Sequence, residues 1–156
     1  MKIVDLLSEQ VIRTNLPGTS KNDVINAIID LAASQDRVLD KEKVRKAIFE
    51  REQIMSTGVG AGFAIPHAKS DAVSDIVAAF AVTAEPIDYQ SLDDQPVRIV
   101  FLLVGRENMV GPHIKLLSRI SRLMNNEEFR RRLLEAATPK DVLEIFRKEE
   151  ATHFDA

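Results

Sequence analysis

The chain has 156 residues, of which 45% are hydrophobic and 29% charged, with a formal net charge of −3; this suffices to bury one substantial core and is too little for two ordinary domains. With no low-complexity tract and no polybasic arm, the composition argues against disorder and against nucleic acid as a partner. There are no cysteines, which excludes a disulfide scaffold, thiolate catalysis and cysteine-ligated zinc.

At the N-terminus, Asp5 and Glu9 stand where a secretion signal needs an apolar core. The longest apolar runs, residues 76–82 and 99–104, fall far short of the roughly 20 residues needed to cross a bilayer. The expected location is therefore cytoplasmic, without direct membrane insertion. Ser20 is an N-cap for a helix through Ala33, because Val24, Ile28 and Leu31 recur at helical spacing and Asp23 sits in the first turn. Asp40 starts a second helix with Val44, Ala47, Ile48 and Arg51 along one side, which places Arg51 at its C-terminal end.

A glycine-punctuated loop follows, Ser56-Thr57-Gly58-Val59-Gly60-Ala61-Gly62, and then the short apolar stretch Phe63-Ala64-Ile65-Pro66-His67. Proline cannot donate to a sheet ladder, so His67 is expected at a strand end or edge. The apolar runs over residues 76–82 and 97–104 read as strands buried on both faces, the centre of a sheet, with a short strand over residues 85–89 between them. Pro112 fits the first position of a helix that carries His113, Ile114, Leu117, Ile120 and Met124. Two more helices are expected, over residues 127–136 and 139–148, the second capped by Thr138, before a frayed tail. Interleaved strands and helices without a linker imply an α/β fold: a single domain over residues 1–150, a mixed β-sheet flanked by helices, with residues 151–156 as the tail.

Three histidines are present, and two of them, His67 and His113, occupy unusual settings: a strand end after a glycine-rich loop and the first turn of a helix. A phosphohistidine site needs an imidazole nucleophile, donors for the phosphoryl oxygens and no nearby carboxylate, since like charges about 4 Å apart cost about 4 kcal/mol at an effective dielectric near 20. From Gln53 to Ser70 there is no acidic residue, although the chain has 24. Candidate donors are the hydroxyls of Ser56 and Thr57, loop amides from Gly58 onward, the Arg51 guanidinium and Lys69. His113 adds a ring at a helix start, where anions are favoured. An Arg51 that only caps its helix and a His113 that packs on a loop satisfy the same pattern. Other motifs fail: Gly58, Gly60 and Gly62 are followed by Phe63 where a dinucleotide fingerprint needs glycine, and there is no Walker A sequence, no hydrolase elbow and no paired-histidine metal motif. The basic run Arg130-Arg131-Arg132 reads as a solvated helix face.

Arg51-Glu52, Ser56-Thr57-Gly58-Val59-Gly60 and Ala64-Ile65-Pro66-His67 together resemble the signature of the mannitol/fructose-type IIA domains of the bacterial sugar phosphotransferase system. The resemblance continues through Pro86-Ile87-Asp88-Tyr89, Asp94-Gln95-Pro96-Val97 and His113-Ile114. It implies that His67 accepts a phosphoryl group at Nε2 from an HPr-like phosphocarrier, that His113 and Arg51 steady it, and that no cofactor or metal is needed. Ala68 replaces a glycine common in the family, with no loss of a functional group. Among family members the chain is most similar to the nitrogen-regulatory IIA proteins, whose phosphorylation state controls targets; a free-standing sugar-specific IIA component that hands its phosphate to a IIB domain is the alternative.

Overall fold

The computed structural model describes residues 2–154. Two short 3-10 turns, Ile3–Asp5 and Glu9–Val11, lead into strand β1 (Ile12–Leu16). Helix α1 (Lys21–Ala32) begins where expected, with the Ser20 hydroxyl accepting the Asp23 N–H, and α2 (Lys41–Ile54) is capped likewise by Asp40 on Lys43. Strands β2 (Gly58–Gly60), β3 (Phe63–Ala64) and β4 (His67–Lys69) are short, and β5 (Val77–Ile87) and β6 (Val97–Gly105) are long. Helices α3 (Val110–Met124), α4 (Glu127–Glu135) and α5 (Pro139–Phe154) complete the described chain.

The sheet runs β1-β5-β6-β3-β2, with β4 also paired to β6. As the unbroken apolar runs imply, β5 and β6 are central, antiparallel to each other and buried along most of their length. Helices α1 and α2 pack together, α4 joins α3 to α5, and both groups lie against the sheet. Between β5, β6 and the last helices, Phe80, Phe101, Phe129 and Phe146 meet edge-to-face, with ring centroids 5.1–6.1 Å apart. This is the α/β, single-sheet architecture expected.

Several local expectations change. Residues 58–60 are a strand rather than loop, because the chain turns back at Ala61 and Gly62, both at positive φ, and pairs β2 with β3. The separate strand expected over residues 85–89 is instead the end of β5, which reaches Ile87 after a register shift. Pro112 is the third residue of α3, not the first; its missing N–H falls where no intrahelical acceptor exists anyway. The expected fray after Lys148 is replaced by helix through Phe154, since Glu149 and Glu150 are buried and paired; Asp155 and Ala156 lie outside the described residues. Glu150 accepts the N–H groups of Ile3 and Val4 at 2.7 and 2.9 Å and Arg119 Nε at 2.9 Å, tying the chain's start to α3 and α5. The basic run is locally paired: Arg131 with Glu128 and Glu135, Arg132 with Glu149, and Arg130 with the Met124 carbonyl.

Strands β3 and β4 follow one register along β6: Phe63 opposes Ile99, Ala64 opposes Val100 and His67 opposes Leu103. Pro66 interrupts that edge without displacing it, because its carbonyl still accepts the Leu103 N–H at 3.0 Å. His67 is thus the first residue of an edge strand.

Candidate functional site

The backbone delivers His67 in a defined protonation state. Its Nδ1 lies 2.6 Å from the Ile65 carbonyl oxygen. A carbonyl only accepts, so Nδ1 carries the proton and Nε2 presents its lone pair. Burial is the main influence holding the His67 pKa below its ordinary 6.5; the Ile65 bond opposes this, the Arg51 charge lowers the pKa further and Glu52 pulls the other way. The ring is therefore neutral and nucleophilic near pH 7.

His113 faces it from α3, with ring centroids 5.8 Å apart and planes at 50°. Only 4% of His113 is exposed. Burial, then the charges at His67 and Lys69, push its pKa down to about 4. Its Nδ1 is buried without a partner. Gly105 permits this approach: a Cβ there would stand 2.9 Å from His113 Nδ1. Gly105, at the end of β6, is a site-forming residue that the pattern of histidines and donors did not pick out.

Both rings line a cleft of about 700 Å³ together with Arg51, Lys69, Glu50 and Glu107. Helix α2 packs on β4 and brings Arg51 there. The guanidinium donates to the Met55 carbonyl at 2.9 Å, capping the end of α2, and its charge is still felt at His67. Arg51 thus caps its helix and also lines the cleft. The carboxylate-free window of sequence does not make a carboxylate-free cleft, since Glu50 and Glu107 enter it from the flanking segments. Among the described residues no group of three or more His, Cys, Asp or Glu is placed to hold a metal.

The expected oxygen-binding trio of Ser56, Thr57 and Gly58 does not line this cleft. Thr57 is 2% exposed, its hydroxyl donates to Glu52 Oε2 at 2.6 Å, its N–H donates to Oε1 at 2.8 Å, and the Tyr89 hydroxyl lies 3.0 Å away. Ser56 donates to the Tyr89 carbonyl at 3.3 Å and accepts the Gly58 N–H at 3.1 Å. Gly58 serves packing: a Cβ would meet Ser91 Oγ at 2.4 Å and Tyr89 Cδ1 at 2.8 Å. Behind this segment Lys21 Nζ reaches Glu52 at 3.0 Å and sits 4.8 Å from the Tyr89 ring centre. Glu52 is thus the buried acceptor that orders the segment leading to β2; the signal in the sequence was an acidic residue in the last turn of α2, five positions before Thr57.

Comparison with known proteins identifies the family. Residues 5–149 match the family model described as phosphoenolpyruvate-dependent sugar phosphotransferase system, EIIA 2. The chain is 38% identical to the fructose-specific EIIA component of Haloferax volcanii, over 87% of this chain and 88% of that protein. It is 36% identical to a nitrogen regulatory protein of Bradyrhizobium diazoefficiens, over 85% of this chain and 86% of that one. A fructose-specific EIIABC component of Bacillus subtilis is 37% identical over 93% of this chain, which spans only 23% of that longer protein. Among solved structures, the nitrogen regulatory protein IIA-Ntr of Neisseria meningitidis superposes with a TM-score of 0.86 at 28% identity, covering 92% of this chain and 98% of that one. The mannitol IIA of Escherichia coli shares the fold, with a TM-score of 0.78 at 22% identity over 90% of this chain and 98% of that one. With residues 5–149 matched by that family model, this chain belongs to the EIIA 2 family of the phosphoenolpyruvate-dependent sugar phosphotransferase system.

Proposed function

We propose that Nε2 of His67 accepts a phosphoryl group from an HPr-like phosphocarrier and that the phosphorylated chain acts as a nitrogen-regulatory IIA protein. The observation that carries the first part is the Nδ1 bond to the Ile65 carbonyl, which leaves Nε2 bare beside Arg51 and His113. In the transfer, the Nε2 lone pair forms the new N–P bond as the carrier's N–P bond breaks, and the carrier's ring, protonated on its other nitrogen, leaves as neutral imidazole. The new phosphoimidazole keeps its Nδ1 proton, and the Ile65 carbonyl stabilises the positive charge that develops there. Positioning supplies most of the rate, with Arg51 and the Nε2–H of neutral His113 directed at the phosphoryl oxygens.

A regulatory destination is supported by the closer superposition on the Neisseria IIA-Ntr than on mannitol IIA. A dianion arriving beside Ile54, which is 79% exposed at the rim of the cleft, changes what that rim can dock. The second reading, a fructose-type IIA component that passes the group to a IIB domain, is favoured by the identity to the free-standing Haloferax protein.

Incubation with phosphoenolpyruvate, the first phosphotransferase enzyme and HPr tests acceptance. The expected result is an acid-labile gain of about 80 Da, one phosphoryl group, that is absent in His67→Ala. A full gain in that variant, or none in the wild type, would sink the proposal. Adding a IIB domain then separates the two destinations: rapid loss of the label to IIB supports the sugar-uptake reading, and retention supports the regulatory one.

A further inference from the structure

We propose that Lys69 is a second cation that holds the phosphoryl dianion beside Arg51. This rests on His67 being the acceptor. His67 and Lys69 are alternate residues of β4 and project from the same face. They stand opposite Leu103 and Gly105 of β6, and Gly105 is the residue against which His113 is seated. Lys69 lines the same cleft as both histidines, is exposed, and its charge is felt at His113.

The charge balance calls for such a group. A phosphoryl group brings between one and two negative charges into a cleft that Glu50 and Glu107 already line. Arg51 supplies one positive charge, part of its donor capacity being engaged by the Met55 carbonyl. Burial holds the His113 pKa well below its ordinary value before the group arrives, so the waiting cleft does not draw a positive charge from that ring near neutral pH. The other nearby cations are committed: Lys21 to Glu52 at 3.0 Å, and Arg106 to Asp71 at 3.8 Å and to the Val73 carbonyl at 3.1 Å. The Lys69 side chain forms no ion pair or hydrogen bond among the described residues. A flexible four-carbon stem carrying a point charge suits a residue that waits in solvent and closes on an anion when it arrives.

The test uses the intact chain in equilibrium with phosphorylated HPr, comparing wild type, Lys69→Met and Lys69→Arg by intact mass, and following the phosphoryl group's own ionisation by 31P NMR. Lys69→Met is expected to move the equilibrium about fivefold toward HPr and to raise the pKa of the bound phosphoryl group. Lys69→Arg should restore both. An unchanged equilibrium and phosphoryl pKa in Lys69→Met, or a Lys69→Arg that behaves like Lys69→Met, overturns the assignment. The wild-type arm keeps the two claims apart: a wild type that takes no label fails at His67, whereas one that labels normally while Lys69→Met matches it fails at Lys69 alone.

Discussion

That His67, His113 and Arg51 line one cleft follows from local signatures in the sequence: a proline before an edge strand, a helix start and a helix end. Ser56, Thr57 and Gly58 lie outside the cleft lining, and the sequence does not show this because a hydroxyl or a glycine has the same letter whether it meets a ligand or a carboxylate. The deciding group is Glu52, which takes both the N–H and the hydroxyl of Thr57. Thr57→Val is therefore expected to lower stability by about 1–3 kcal/mol, leaving a buried carboxylate short of a donor, while the folded variant still takes the label; a urea unfolding curve and an intact-mass assay measure the two. Gly105→Ala should do the reverse. Its new Cβ, 2.9 Å from His113 Nδ1, displaces that ring, so stopped-flow transfer from the carrier should slow about tenfold, roughly the loss of one charge-assisted hydrogen bond. Transfer at the wild-type rate in Gly105→Ala would remove His113 from the mechanism.

The long apolar runs of β5 and β6 and the capped starts of α1 and α2 can be read directly, because hydrophobic continuity and N-cap chemistry are local. Strand β1 was not legible: only its end residues Ile12 and Leu16 are buried, and its parallel pairing with β5 is non-local. The helical end of the chain was hidden for a related reason. Glu149 and Glu150 look like solvated tail, and become core only through Arg132, Arg119 and the first amides of the chain. Replacing Glu150 by alanine is expected to cost about 3 kcal/mol, since it strips a buried anion from Arg119 and from the N–H groups of Ile3 and Val4. Chemical denaturation of the variant checks this; a loss below 1 kcal/mol would mean that the cluster behaves as a surface pair.

At the scale of the whole molecule, the site couples to stability through protons. His67 and His113 both have folded pKa values below the ordinary 6.5, His113 at about 4, so the unfolded chain binds more protons than the folded one between these values. The His113 contribution to stability is complete above pH 6.5 and is lost as pH falls toward 4, and that of His67 is lost in the same direction. His113 alone accounts for a loss of about 2 kcal/mol by pH 5. Urea midpoints at pH 7 and pH 5 should fall further apart in the wild type than in His113→Gln, whose side chain does not titrate. At the centre of the proposed function, the fold presents a bare Nε2 of His67 to an incoming phosphoryl group. The most direct measurement is 1H–31P and 1H–15N NMR of the chain labelled through HPr. The account predicts phosphorus bonded to Nε2 of His67 with Nδ1 still protonated; phosphorus on Nδ1, or on another residue, would contradict it.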